Sequence, residues 1–167
     1  QENRQIFDEG ITPVPAINQI LLNDPAIAGG IMITGSHIQT DFNGLKFFAF
    51  KKEISKDDER ELEKIYKIIA NTEKQTPQKK MVTVENRANT FYGEMLLKQA
   101  DLPYPKWRIV LDLCNGCQTE IMPTLFEKLG LETILINDSH KLKSFIARDT
   151  ETEEAVSDLQ KEVRKRQ

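Results

Sequence analysis

A serine with a histidine beside it, between two predicted strands, is the feature of this sequence that most directly suggests chemistry. Ser36 and His37 follow Gly35 at the end of an apolar run. A hydroxyl in such a position can be exposed as a nucleophile with hydrogen-bond partners nearby. Ordinary hairpin loops contain the same residue types, and there a serine or a lone histidine only bonds to the loop backbone. Residue types alone therefore leave both interpretations open.

Two strands and a turn are predicted to hold this segment. The apolar residues 31–33 predict a buried strand, and residues 45–50 predict a second strand. Asn43-Gly44 between them is a strong turn signal. We therefore expect residues 36–42 to form a loop that is anchored at both ends, with Lys46 close to one anchor.

A second candidate for chemistry is the pair Cys114 and Cys117, which encloses Asn-Gly where a predicted strand gives way to a helix. A helix N-terminus there would lower a thiol pKa, as in dithiol oxidoreductases, so a CxxC thiol redox protein is an alternative function. Thiols that simply fill a glycine-rich turn are the plainer interpretation. A zinc site needs more ligands, and His37 and His140 have no paired spacing near the cysteines.

The remaining elements alternate between helices and strands. A helix is predicted from Pro15 to residue 23, and a capping box formed by Ser55 and Asp58 predicts the start of another. The apolar side chains of that second helix form one stripe: Leu62, Ile65, Tyr66 and Ile69. Polar residues 71–80 predict a linker between two domains.

Beyond the linker, the pattern is typical of a parallel sheet. Residues 86–99 predict a helix that Pro103 and Pro105 prevent from continuing. Strand, helix and strand are then predicted at 107–113, 119–129 and 131–136, followed by a terminal helix that begins near Thr150 or Thr152. The fold class is therefore α/β, with two small units at residues 1–75 and 81–167, each a mixed or parallel sheet flanked by helices.

Composition and charge narrow the class of protein. Hydrophobic residues make up 39% and charged residues 29% of the 167 residues, which is typical of a globular protein. The net charge of −3, with only a short basic segment at 161–166, makes nucleic acid an unexpected partner. Because no apolar run is long enough to span a membrane and no signal segment is visible, we expect a cytoplasmic protein without a membrane partner.

Several motifs, in order and at matching separations, resemble the active-serine region of the α-D-phosphohexomutase family, which includes phosphoglucomutases and phosphomannomutases. They are GITPVP at 10–15, GIMITGSH at 30–37 and NGLKF at 43–47. The segments RIVLDLCNG at 108–116 and MPTLFEKLG at 122–130 look like the opening strand and helix of that family's second domain. The resemblance implies the end of domain 1, with the catalytic phosphoserine, at 1–75. It also implies most of domain 2 at 81–167, truncated before the metal-binding loop, so that both three-layer domains are incomplete.

The resemblance also implies an activity and its residues. Ser36 would be phosphorylated, would donate its phosphate to a hexose 1- or 6-phosphate, and would recover a phosphate from the bisphosphate intermediate. His37 and Lys46 would aid proton transfer and phosphate handling. Mg²⁺ would be bound by the phosphate on Ser36 and by aspartates expected beyond residue 167, with a hexose bisphosphate as activator. This fragment alone is therefore expected to be inactive.

One departure from the family's pattern opens an alternative. The family continues Ser-His with Asn-Pro, whereas Ile38-Gln39 stand here. The change removes a polar side chain and a proline that would stiffen the loop. A catalytically degenerate mutase with a binding or regulatory role is therefore a second hypothesis. The sequence predicts neither which hexose phosphate is used nor the oligomeric state.

Overall fold

Short strands and helices alternate along the chain in a computed structural model that describes residues 5–35, 43–71, 82–101, 103–139 and 152–166. The strands are β1 Ile6–Asp8, β2 Gly29–Thr34, β3 Gly44–Ala49, β4 Lys52–Glu53, β5 Val82–Val84, β6 Arg108–Asp112 and β7 Glu132–Ile136. The α-helices are α1 Val14–Asn23, α2 Lys56–Ala70, α3 Arg87–Gln99, α4 Met122–Lys128 and α5 Ser157–Lys165. Single 3₁₀ turns at Cys117–Glu120 and Glu153–Val156 precede α4 and α5.

The strands of the described ranges form three small sheets. β2, β3 and β4 make an antiparallel sheet in that order. β1 pairs in parallel with β5, and β6 pairs in parallel with β7. The predicted class, α/β with mixed and parallel sheets flanked by helices, is confirmed.

The core lies where α1 packs against the β2–β3 sheet and α3. The buried face of α1 is a helical stripe of four residues: Ala16, Ile17, Ile20 and Leu21. It contacts Met32 and Phe48 of the sheet and Tyr92 of α3. A Cβ atom at Gly30 would lie 3.1 Å from Cγ2 of Ile17, so the glycine permits the close approach of α1 to β2.

The strand predicted at residues 31–33 is confirmed, but the prediction that it is buried is wrong. Met32 is buried, whereas Ile31 and Ile33 are 61% and 70% exposed. Successive side chains of a strand point to opposite faces, and α1 packs on the face that carries Met32. The apolar run thus has one covered and one exposed face.

The helix predicted at residues 119–129 is shorter than expected. A 3₁₀ turn occupies Cys117–Glu120, and the α-helix begins at Met122. Pro123 lies in its first turn, where the missing N–H costs nothing, whereas deeper in a longer helix it would remove a hydrogen bond. The strands β1, β4 and β5 were not predicted, because two or three residues carry too little periodicity.

Residues 82–99 contact the first predicted unit. β5 lies beside β1, and α3 packs against α1. Most of the predicted linker, residues 72–80, lies outside the described residues. The division into units at 1–75 and 81–167 therefore stays a prediction.

The N-terminal cap of α2 has the predicted form. The hydroxyl of Ser55 accepts a hydrogen bond from the Asp58 amide at 3.2 Å, and the Asp58 carboxylate accepts one from the Ser55 amide at 3.0 Å. The apolar stripe of this helix remains largely exposed, and no residue of α2 is buried. Within the described ranges, no helix is both long enough and apolar enough to cross a membrane.

We expect the start of α2 to lose stability in acid. Hydrogen bonds from the side chain and backbone of Ser55 lower the pKa of Asp58 below its ordinary value of 3.8. A group whose pKa is lowered on folding stabilises the folded state above its unfolded pKa and loses that effect as the pH falls through the folded pKa. NMR Cα shifts of residues 56–60 should therefore move toward coil values below pH 3.8.

The matched variants are Asp58→Asn, which cannot titrate, and Asp57→Asn, which keeps the capping pair. Asp58→Asn should lose this pH dependence at the start of the helix, and Asp57→Asn should keep it. Equal acid titration of the helix start in wild type and Asp58→Asn would contradict the prediction.

Candidate functional site

A β-hairpin anchors the segment that carries the predicted nucleophile. Thr34 at the end of β2 pairs with Gly44 at the start of β3. Residues 36–42, with Ser36 and His37 as well as Ile38 and Gln39, lie outside the described residues. The two strands predicted to anchor the loop are confirmed, and the roles of Ser36 and His37 stay predictions.

Gly44 leaves little room for a side chain at the pair that closes the hairpin. A Cβ atom at this position would lie 3.2 Å from the carbonyl oxygen of Thr34. That distance is short for a carbon–oxygen contact, so a side chain here would require a shift of a few tenths of an ångström at the strand ends. Gly44 belongs to β3, so the predicted Asn43-Gly44 turn gives way to a strand start.

Lys46 is the predicted site residue that the structure describes. It lies on β3 opposite Met32, two positions from the Thr34–Gly44 pair. Its Nζ is 3.3 Å from Oε1 of Glu53, and its side chain is 39% exposed. The lysine thus lies near the end of β3 that pairs with β2 at Thr34, and its ammonium forms an ion pair with the neighbouring strand β4.

The Thr-Pro turn before α1 is tied to α3 by a buried amide. The Thr12 hydroxyl donates to Oδ1 of Asn89 at 2.6 Å, and Nδ2 of Asn89 donates to the carbonyl of Ile11 at 3.0 Å. Both side chains are buried. Sequence reasoning missed Asn89, because no local pattern links residues so far apart along the chain.

A second unpredicted cluster surrounds Arg87 at the start of α3. Its guanidinium contacts the carboxylates of Glu85, of Asp24 at 2.5 Å and of Glu9 at 3.8 Å, and it lies 4.9 Å from the ring centroid of Phe7. Burial lowers the pKa of Arg87, but the hydrogen bond to Asp24 and the surrounding carboxylates raise it overall. The cluster links β1, α1, β5 and α3 and is best explained as structural.

The geometry around Cys114 and Cys117 disfavours redox chemistry. Cys117 lies in the 3₁₀ turn rather than at the N-terminus of α4, and burial raises the pKa of its thiol above 9.0. The sulfur of Cys114 is 3.6 Å from a carboxylate oxygen of Asp112. Cys114 and Cys117 are not joined by a disulfide. A reactive dithiol needs the opposite shift, toward the thiolate.

Polar side chains bind together the two loops that follow β6 and β7. Oδ1 of Asp112 accepts from Nδ2 of Asn137 at 2.9 Å, and Oδ1 of Asn115 accepts from the Ser139 amide at 2.8 Å. Cys114, Asn115 and Asn137 have positive φ angles of 49°, 53° and 51°. These internal hydrogen bonds support the plainer interpretation of the Cys-Asn-Gly-Cys segment as a structural turn.

We expect Cys117 to be a slow nucleophile near neutral pH. In a Cys114→Ser variant, the rate of alkylation by iodoacetamide should rise with a midpoint above pH 9.0, because burial disfavours the thiolate. Cys117→Ser is the control that measures Cys114 alone. A midpoint below about pH 7.5, as in activated cysteines, would contradict this assignment.

The comparisons with known proteins agree with one another. Residues 1–75 match the family model described as phosphoglucomutase/phosphomannomutase, alpha/beta/alpha domain I. Phosphoglucosamine mutase of Wolinella succinogenes is 35% identical over 141 residues, and that of Nautilia profundicola is 37% identical over 138 residues. Each match covers 80% of this chain and 31% of the relative, so the chain spans about a third of the length of these proteins.

A solved structure shares the fold. The crystal structure of a phosphoglucomutase/phosphomannomutase family protein from Burkholderia thailandensis superposes with a TM-score of 0.69 at 20% identity, covering 95% of this chain and 35% of that protein. This likeness shows the fold, and the matches in sequence show that the chain belongs to the phosphohexomutase family and corresponds to its N-terminal portion.

Proposed function

We propose that the gene product containing this chain transfers phosphate between the 1- and 6-positions of a hexose phosphate through a phosphoserine at Ser36. The observation that carries the proposal is the β2–β3 hairpin, whose closing pair anchors the Ser36 segment with Lys46 two positions away. Phosphoryl transfer asks a protein mainly to hold the reacting oxygens in line and to stabilise their charge. Paired strand ends on either side of residues 36–42, with a lysine two positions along β3, support that role.

The first substrate to test is a glucosamine phosphate. Several relatives that match this chain are phosphoglucosamine mutases. Glucose and mannose phosphates are the competing substrates, because the family model that matches residues 1–75 is named for mutases of those sugars. We expect the gene product to convert glucosamine phosphate with a higher kcat/KM than either of the other sugar phosphates.

Mg²⁺ is proposed as the cofactor, with its protein ligands largely outside the described residues. In the ranges that the structure describes, no group of three His, Cys, Asp or Glu side chains could hold a metal ion. The phosphate on Ser36 would supply one oxygen ligand, and the aspartates would lie beyond residue 167. The cytoplasmic location, like the cofactor, stays a prediction.

The experiment that tests the proposal measures phosphate on the protein. The gene product is incubated with glucosamine 1,6-bisphosphate and Mg²⁺, and its intact mass is then recorded. We expect the mass to rise by one phosphate, which peptide mapping places on Ser36. No mass increase with glucosamine, glucose or mannose bisphosphate would contradict the phosphoserine mechanism.

A second candidate function is that of a degenerate mutase, which binds hexose phosphates without turnover. It is favoured by Ile38-Gln39, which stand at the position of the family's Asn-Pro. This candidate predicts binding of a hexose phosphate together with no phosphate on Ser36. Restoring Asn-Pro by the double change Ile38→Asn and Gln39→Pro would then raise phosphate incorporation, whereas an already active mutase would gain little.

A further inference from the structure

Four apolar side chains form the face of the β2–β3 sheet that α1 does not cover. They belong to two directly opposed strand pairs, Ile31–Phe47 and Ile33–Leu45. This surface, termed the outer face, lies opposite the side that carries Met32 and α1. Ile31, Ile33 and Leu45 are 61%, 70% and 59% exposed. Because contiguous exposed apolar surface of this kind marks interaction sites, the outer face is a candidate docking surface.

The charge beside the outer face is positive. Lys52 on β4 pairs with Ala49 of β3, so its side chain belongs to the outer face, and Lys51 lies in the turn between these strands. Among the described residues of β2, β3 and β4, no acidic side chain belongs to this face, because Glu53 pairs with Phe48 on the opposite one. A partner that fits the outer face therefore combines apolar with acidic side chains.

Helix α2 has this combination on one side. Its apolar stripe is between 39% and 72% exposed and consists of Leu62, Ile65, Tyr66 and Ile69. Glu59 and Glu63 line one border of the stripe, because each lies three residues before a member of it. Arg60 and Lys64 lie on the opposite side of the helix. Glu59 also pairs with Lys56 at 2.7 Å, but this pair is exposed and contributes little.

We propose that two copies of this chain associate through these surfaces, with α2 of each copy covering the outer face of the other. A two-fold axis satisfies both contacts at once, because the same two surfaces occur on every copy. The acidic border of α2 then meets the basic edge of the outer face. Within one chain, α2 leaves the outer face exposed, and no residue of α2 is buried. This association is independent of the proposed phosphate transfer.

The test is sedimentation equilibrium, which gives the dissociation constant of the dimer for this chain and for the gene product that contains it. Three charge-reversed double variants are compared with wild type. They are the turn variant, Lys51→Glu with Lys52→Glu; the border variant, Glu59→Lys with Glu63→Lys; and the far-side control, Arg60→Glu with Lys64→Glu. Ile33→Ser tests the apolar contact, and Leu22→Ser on α1 is its control, because Leu22 is also exposed, at 52%.

We expect the turn variant and the border variant each to raise the dissociation constant at least about tenfold, because like charges would then face each other. Mixed in equal amounts, these two variants should associate about as tightly as wild type, since each contact in the mixed dimer again joins opposite charges. Ile33→Ser should weaken the dimer, whereas Leu22→Ser and the far-side control should match wild type.

Three results would overturn the inference. The first is that this chain stays monomeric over the measured range of concentrations. The second is that the gene product stays monomeric, since another part of it would then cover the outer face. The third is that the turn and border variants weaken the dimer but do not recover when mixed, since the two surfaces would then not meet between copies.

Discussion

Replacing Ser36 by alanine is expected to abolish phosphate incorporation from glucosamine 1,6-bisphosphate in the gene product that contains this chain. The physical reason is that the hydroxyl oxygen would form the bond to phosphorus, and alanine has no atom that can replace it. Lowered affinity or altered charge reduces a rate by a factor, whereas loss of the nucleophile removes the intermediate. Intact mass should therefore show one added phosphate in wild type and none in Ser36→Ala.

Two controls separate this result from a general loss of structure. Ser157→Ala removes a hydroxyl at the first position of α5, outside the hairpin, and should be phosphorylated like wild type. The amide shifts of β2 and β3 in Ser36→Ala should match those of wild type, which would show that the hairpin closed by Thr34 and Gly44 is intact. If the mass of Ser36→Ala rises by one phosphate as in wild type, the phosphate is on another residue and the proposed mechanism is wrong.

The second large effect is expected at Leu21 in the core. This side chain is 2% exposed and lies in the cluster formed by α1, the β2–β3 sheet and α3. Truncation of a buried leucine removes its transfer free energy and leaves a cavity, so Leu21→Ala should lower the free energy of unfolding by about 2–5 kcal/mol. Urea unfolding followed by circular dichroism measures the change.

The adjacent residue supplies a matched control. Leu22 is also a leucine and lies in the same helix, but its side chain is 52% exposed. Leu22→Ala should change the free energy of unfolding by no more than about 0.5 kcal/mol, as for other surface substitutions. Similar losses for both variants would show that the packing of α1 differs from the one described.

Local signals in the sequence were sufficient for the two strands beside the candidate site and for one helix cap. The two apolar runs beside the Asn43-Gly44 signal predicted two strands, and β2 and β3 confirm them, although Gly44 lies in β3 and pairs with Thr34 instead of belonging to a turn. Ser55 and Asp58 likewise predicted the cap of α2, since a capping box depends on residues three positions apart. In each case the partners that decide the structure are neighbours in the chain.

Which segments of the chain pack against each other was decided only by the tertiary structure. The Thr12–Asn89 hydrogen bond and the β1–β5 pair join residues more than 70 positions apart. The sequence of a short polar or apolar segment does not predict such distant partners. The ion pair of Lys46 depends in the same way on the turn that brings β4 beside β3. The sequence by itself determined where the longer strands and the helices occur, because period and turn chemistry are local. Burial, counterions and long-range pairing followed from the tertiary fold, because they depend on which surfaces meet.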